Sequence, residues 1–440
     1  MTDLLDYADR VWRGVATPES YLSGDLRSEG LHEVVNGVWM WSAFGNVFVF
    51  PTADGLVLFD TGASRTATSL HRAVRDRWSD PLTTAIYSHG HVDHVFGLDP
   101  FDREATDQGR PRPTVIAHEA VPARFDRYRR SAGHNTAVNR RQFRDPELVW
   151  PTEYRYPDVT YRETTEVRHG DLTLRLQHVL AETDDHTVAW WPERGILCCG
   201  DLFTWAAPNA GNPQKVQRYP LEWARALRWM AELNAQLLLP GHGLPIAGAA
   251  RIRQALTDSA ALLESLHDQV LELMNTGATL DEVLHRVTPP TELLEKPYLR
   301  PLYDEPEFVI HAVWRRYGGW WGGDPAQLKP APRSELAHEL ATLAGGAEQL
   351  ANRARSLAED GRLRLAGHLA QLAGDAAPDG AAVHDDRAEV FRRLEDTATS
   401  TMARGVYGWA VAESEAVTDS LDVTTTLGRA AAARPTRITL

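Results

Sequence analysis

Cysteine is nearly missing from this sequence: 440 residues contain two, Cys198 and Cys199, side by side. That excludes a disulfide framework. Both sit in the apolar run Gly195-Ile-Leu-Cys-Cys-Gly200 and read as small strand residues, because free cysteine packs like a small hydrophobe. Positive charge is also in deficit. Lys and Arg number 46 against 60 Asp and Glu, a net charge of −14, and no long basic stretch offsets it. Such a field argues against nucleic acid and anionic membranes as partners. An anionic small substrate then needs a locally positive pocket. No run approaches the roughly 18 apolar residues of a membrane span. The start, MTDLLDYADRVWRG, lacks the basic segment and apolar run of a secretory signal, so the expected location is cytoplasmic. A G-x-S-x-G nucleophile elbow is missing as well.

What is there is ordinary globular material, 43% hydrophobic and 24% charged, in a length that suggests two or three domains. Up to about residue 247 strands and helices mix. Val34–Trp41, Asn46–Pro51 and Leu56–Asp60 are short, β-branched or aromatic, and separated by Gly, Asn and Asp, a strand-turn-strand pattern. Thr66–Trp78 has helical spacing and Thr83–Ser88 reads as a strand. Thr173–Leu180, Thr187–Trp191 and Ile196–Cys199 are further strands, followed by a helix over Pro220–Leu233 and a short buried strand at Leu237–Leu239. From Ala249 the pattern becomes helical. A long amphipathic stretch runs to Met274, a shorter helix covers Leu280–Val287, and Ala/Leu/Glu/Arg-rich helices alternate with Gly or Pro breaks from Arg333 to about Ser414. The last residues, Ala430–Leu440, read as a loose tail.

Residues 88–97 read Ser-His-Gly-His-Val-Asp-His-Val-Phe-Gly. Three imidazoles and a carboxylate fall within six residues, directly after a buried strand. These ligand types suit zinc and also iron. The loop bends, so His89 and His91 can face one ion while Asp93 and His94 face another.

This His-x-His-x-Asp-His run resembles the signature of the metallo-β-lactamase superfamily, and other motifs follow in the expected order. Phe59-Asp-Thr-Gly62 follows a strand, and the resemblance implies that Asp60 orients a ligand rather than binding metal. Cys199-Gly-Asp201 resembles the motif whose Asp bridges two metals. Leu239-Pro-Gly-His-Gly243 resembles the motif whose His, here His242, completes the second site. One position departs. Most members carry a His nineteen residues before the bridging acid, where this chain has Glu182. Either Glu182 is the ligand or a reshaped loop presents His186. The alkylsulfatase branch uses Glu at this spacing, which favours Glu182 and leaves His186 outside the ligand set. A carboxylate there would make a bound water less acidic than an all-histidine shell would.

The stretch Glu307–Pro330, with Gly345-Gly-Ala-Glu-Gln-Leu beyond it, is similar to the alkylsulfatase dimerisation domain. The resemblance covers roughly residues 31–415, and the family's lipid-transfer-like C-terminal domain is not expected in this chain. It implies an α/β protein: an αββα metallo-β-lactamase sandwich followed by an all-helical domain. The expected division is an N-terminal extension (1–30), a catalytic domain (31–247), a helical dimerisation domain (248–420) and a flexible tail (421–440). Two divalent metals, zinc with iron the alternative, are expected on His89, His91 and Glu182 and on Asp93, His94 and His242, with Asp201 bridging. Asp93 and Asp201 are the expected catalytic carboxylates.

The substrate side is less regular. Asn209 falls where the branch places a sulfate-contacting Asn, but Gln214 stands where it places a clamping Arg. Lys215 and Arg218 are near but out of register, and Lys does not replace the two-pronged Arg clamp. Arg141 and His134, in the Ser131–Arg141 loop stretch, complete the candidates; a tyrosine of the family's pocket has no counterpart there. The expected activity is hydrolysis of an alkyl sulfate or similar anionic ester by a metal-activated water, with cleavage at the C–O bond implied by the family. Hydrolysis of a carboxyl ester, lactone, thioester or phosphoester, or oxygen-dependent diiron chemistry, are the alternatives. A homodimer through the helical domain is expected. Trp205, Trp320 and Trp321 are candidates for an apolar channel, or plain packing.

Overall fold

In a computed structural model of the chain, residues 3–17 and 30–433 are described. They form two compact units. The first joins residues 3–17 and 30–132 to 151–319, the second joins 133–150 to 320–433.

The first unit is built on two sheets. Seven strands lie in sequence order: β1 (Gly30–Val35), β2 (Val38–Ser42), β3 (Val47–Thr52), β4 (Gly55–Phe59), β5 (Leu82–Ile86), β6 (Thr114–His118) and β7 (Val159–Tyr161). The other six are β8 (Thr164–His169), β9 (Leu172–Val179), β10 (His186–Trp191), β11 (Ile196–Gly200), β12 (Leu237–Pro240) and β13 (Ile246–Ala247), in order β13-β12-β11-β10-β9-β8. Pairing is antiparallel from β1 to β4, then parallel through β7; in the second sheet only β11 and β12 pair in parallel.

Why β2–β4 read as nearly unbroken apolar runs is now clear. Successive strand side chains point to opposite faces. Val38, Met40, Phe48, Phe50, Val57 and Phe59 pack between the sheets, while Trp39, Trp41, Val47, Val49, Leu56 and Leu58 pack under the helices Ala67–Arg75, Asp99–Asp107 and Val121–Arg130. Each fully buried side chain of this size contributes about 1.5–3 kcal/mol. On the other side, the helices Pro220–Glu232 and Ala249–Asn275 cover the second sheet with Trp223, Leu227, Met230, Leu256, Leu263 and Leu266. Cys198 and Cys199 are buried, unpaired residues of β11.

Within the expected N-terminal extension, the helix Asp3–Trp12 sets Leu4, Leu5, Ala8 and Val11 into the same core. The helices Ala249–Asn275, Leu280–Arg286, Thr291–Leu294 and Pro306–Gly318 also belong to this first unit.

The second unit is helical. Arg333–Ala344, Ala347–Glu359, Leu363–Ala376, Ala381–Thr397 and Thr401–Thr418 pack through Ala354, Leu357, Ala366, Ala370, Phe391, Leu394 and Val411. The helix Ala132–Phe143 packs within it, and Arg144 pairs with Glu395 at 2.5 Å. The stretch expected as a flexible tail from residue 421 is corrected in part. Asp422 accepts the Thr425 N–H at 2.9 Å and starts a helix over Val423–Ala433. Residues 434–440 lie outside the described residues. No described helix is long and apolar enough to cross a membrane.

Candidate metal centre

Loops at the ends of the first unit's central strands meet at one edge. The chain leaving β4 brings Asp60, the chain leaving β5 brings His89, His91, Asp93 and His94, and the β9–β10 loop brings Glu182. Asp201 follows β11 and His242 follows β12. Burying the strands places five polar loops together, although their residues span more than half of the first unit's sequence.

Two groups of donor atoms result. His89, His91, Glu182 and Asp201 form one, and Asp93, His94 and His242 form the other, with the atoms of each within 4.8 Å of one another. Asp201 also reaches the second group. Its Oδ1 is 3.4 Å from His94 Nε2, and its Oδ2 is 3.2 Å from His242 Nε2 and 3.7 Å from His89 Nε2. Asp93 Oδ2 lies 3.7 Å from His94 Nε2 and 3.4 Å from His242 Nε2. His94 Nε2 and Asp201 Oδ1 are buried with no hydrogen-bond partner among the described residues. Buried polar atoms rarely go unpaired. A cation between them would satisfy both, and the nitrogen and carboxylate donors are those of zinc or iron sites. The residues therefore fit a divalent metal pair.

The imidazoles are oriented from behind. Asp60 is fully buried and accepts three hydrogen bonds, from the Ser88 N–H (2.6 Å), the Ser88 hydroxyl (2.8 Å) and His94 Nδ1–H (2.9 Å). With its proton spent on Asp60, Ser88 Oγ accepts from His89 Nδ1–H at 2.9 Å. Both rings then present Nε2 to the centre. His242 Nδ1–H donates to the Phe44 carbonyl with the same effect. Asp60 is thus an acceptor-only group facing three donors, which an amide cannot be. In Asp60→Asn we expect affinity for the second ion to fall about 10- to 100-fold, read by chelator competition. Unchanged affinity would mean that Asp60 does not set the rings.

Electrostatics reflect the crowding. Burial, with His91 and His94 beside it, holds His89 well below the usual imidazole range. Burial opposes charge on His242 too, but Asp201 and Asp93 outweigh it and raise that ring to about 9. Burial pushes the Glu182 carboxyl up to about 7, with Arg218 opposing.

Glu182 falls inside the first group. His186 does not: it stacks on His89 with centroids 4.9 Å apart, and its Nε2 accepts the Asp201 N–H at 3.1 Å. Of the substrate candidates, Asn209 donates to Glu182 Oε1 at 2.7 Å, and buried Arg218 donates to Glu182 Oε1 and, at 2.6 Å, to the Asn209 carbonyl. Burial and Arg218 lower the Lys215 ammonium to about 7, while the charges of Glu182 and Asp93 oppose. His134 and Arg141 sit on the helix Ala132–Phe143 of the second unit, not on a loop, and His134 is exposed. Trp205 is core: it is 1% exposed and its Nε1–H donates to the Leu244 carbonyl. Trp320 and Trp321 lie at the surface.

Several residues carry no sequence signal and still shape the centre. Asn46 donates to the carbonyls of Pro240 and Gly243, both at 2.9 Å, and so fixes the turn bearing His242. Arg124 grips Asp184 and Asp185 beside Glu182. Burial, with the charges of Asp93 and Glu182 adding to it, raises the Tyr303 phenol far above its ordinary value.

Comparison with known proteins gives two profile matches and several similar enzymes. Residues 42–242 match the profile of the metallo-beta-lactamase superfamily, and residues 279–416 match that of alkyl sulfatase dimerisation. A linear primary-alkylsulfatase of Pseudomonas sp. (strain ATCC 19151) is 26% identical over 366 residues, 78% of this chain and 68% of that enzyme. An (R)-specific secondary-alkylsulfatase of Pseudomonas sp. is 26% identical over 406 residues, 86% of this chain and 61% of that enzyme. Among solved structures, a double mutant of the sec-alkyl sulfatase PisA1 superposes with a TM-score of 0.81 at 22% identity, covering 93% of this chain and 69% of that one.

Proposed function

We propose that this chain, whose residues 42–242 match the metallo-beta-lactamase superfamily profile and 279–416 the alkyl sulfatase dimerisation profile, hydrolyses alkyl sulfates or closely similar anionic esters at a binuclear zinc centre. The observation that carries the reading is the pair of donor groups sharing Asp201, with Glu182 in the first. We assign His89, His91 and Glu182 to one ion, Asp93, His94 and His242 to the other, and Asp201 to both. Two divalent ions held there would supply a water of lowered pKa and a Lewis acid for the ester oxygen. Asp93 keeps part of its side chain in solvent, which suits the carboxylate oxygen left off the metal to accept a proton and pass it on. Arg218, Lys215 and Asn209 bring cationic and amide groups to the neighbourhood of Glu182 in an otherwise acidic protein, which supports an anionic substrate. The dimerisation match supports a homodimer.

One observation favours a second reading, an ester other than sulfate. Arg218 donates to Glu182 and to the Asn209 carbonyl, so its guanidinium is engaged before any substrate arrives. The test is a panel of primary and secondary alkyl sulfates offered to the zinc-loaded full chain beside carboxyl esters, lactones, thioesters and phosphoesters. Release of sulfate is the expected result. Turnover confined to another bond type would select the second reading, and two irons in protein purified without added metal would move the search to oxygen-dependent chemistry.

A further inference from the structure

The loop Ala207–Asn212 carries Asn209 to Glu182 and has no regular structure of its own, so its buried backbone donors need partners from elsewhere. They find one in Asp304, a fully buried carboxylate just before the helix Pro306–Gly318. Asp304 Oδ2 accepts the N–H groups of Gly211 (2.6 Å) and Asn212 (3.2 Å), and Oδ1 accepts the Glu305 N–H at 2.9 Å. The fit beside it is tight. A Cβ on Gly211 would lie 2.3 Å from the Phe308 carbonyl carbon and 2.4 Å from the Val309 nitrogen. The Ala207 N–H adds a bond to the Arg300 carbonyl at 2.9 Å. The stretch 300–309, which lies within the region matched to dimerisation, is thus the wall against which the Asn209 loop is set.

We propose that Asp304 is a positioning residue for the centre: by holding the Gly211 and Asn212 N–H groups it fixes Asn209 against Glu182, and through Glu182 it sets the first ion's surroundings. The inference rests on Glu182 being a ligand, as assigned above. The same contact chain does not depend on which ester is cleaved. A buried carboxylate is costly unless its oxygens are fully paired, and here burial raises Asp304 to about 6 while the three N–H groups and Arg218 pull it down. An amide of the same shape would keep one acceptor and turn its NH2 on a backbone donor.

The test uses the full chain loaded with cobalt(II), whose visible bands report ligand geometry without any substrate. Asp304→Asn should bind as much cobalt as wild type but show shifted bands, and its kcat/KM toward the best ester should fall about 10- to 100-fold. Asn209→Ala cuts the far end of the chain of contacts, leaves Asp304 in place, and should give the same bands. In the double variant the two effects should not add. Wild-type bands in Asn209→Ala, or additive effects in the double variant, would overturn the proposal even if Asp304→Asn fails to fold. Failure of the substrate reading looks different: no sulfate is released by wild type, yet the band shifts remain. Failure of the ligand assignment shows as full cobalt content in Glu182→Ala.

Discussion

Asp201→Ala is expected to lose at least about a thousandfold in turnover, roughly 4 kcal/mol of transition-state stabilisation, and to bind less metal than wild type. Asp201 is the donor within reach of both groups, 3.2 Å from His242 Nε2, 3.4 Å from His94 Nε2 and 3.7 Å from His89 Nε2. Without it the two halves of the centre share no anion. The imidazoles feel the loss as well. Asp201 leads the charges that raise His242 to about 9 against burial. Removing it lets that ring fall back toward neutrality at pH 7, so the variant's chelator-stripped form should bind fewer protons near pH 8. Asp201→Asn keeps the shape and one oxygen and should sit between wild type and alanine. Glu182→Ala provides the contrast, because Glu182 belongs to the first group alone. About two ions per chain should fall to about one. Elemental analysis beside steady-state turnover reads all three variants. Full metal content and turnover within about tenfold of wild type in Asp201→Ala would reject the shared-ligand assignment, and unchanged metal in Glu182→Ala would transfer the ligand role to His186.

Much of this centre is legible in the sequence because several of its donor side chains are neighbours along the chain. His89, His91, Asp93 and His94 occupy six residues after one strand, and no packing argument is needed to bring them together. The strands β2, β3, β4, β11 and β12 are legible for a related reason: a strand buried on both faces is apolar nearly throughout; β9 shows instead by alternation, its Leu172, Leu174 and Leu176 buried and the residues between them less so. What escapes is the set of single polar residues whose partners lie far along the chain. Asn46 holds a turn 197 residues away, and its Asn-Val-Phe context is that of any strand start. Tyr303 and Asp304 occupy a Pro-flanked stretch between helices, with no period to mark them. The expectation for residues 131–141 failed through local propensity. The stretch read as a loop is a helix of the second unit in which Asn135, Val138, Asn139 and Gln142 are buried. The end of the chain misled in the same way, since Ala and Thr residues with few apolar anchors read as a tail until Asp422 caps them into a helix.

Arg124→Ala tests a support that no motif announces. Arg124, on the helix Val121–Arg130, is 3% exposed. Its Nε–H donates to Asp185 Oδ2 at 2.6 Å, and a second guanidinium nitrogen donates to Asp184. The same Asp185 oxygen accepts the Gly90 N–H at 3.2 Å, and a Cβ on Gly90 would stand 2.7 Å from Arg124 Cδ. One guanidinium therefore ties the loop of His89 and His91 to the loop of Glu182, the two segments that make up the first donor group with Asp201. Removing it leaves Asp185 as a buried charge with no cation, a change that costs about 3–5 kcal/mol. The loss should appear as a lower denaturant midpoint at an unchanged m. Burial works against charge on Asp185, but Arg124 outweighs it and holds the carboxyl below its ordinary range. The stabilisation is then present above the unfolded value near about 4 and disappears as pH falls through the folded one. The penalty for Arg124→Ala should be largest at neutral pH and shrink in acid. Arg124→Lys keeps the charge without the fork and should recover only part of it. In Asp185→Asn the further cost of losing Arg124 should be much smaller than in wild type, the coupling expected of a direct pair. A loss below about 1 kcal/mol in the single variant, the range of an exposed pair, would show that the two loops hold their positions without this tie.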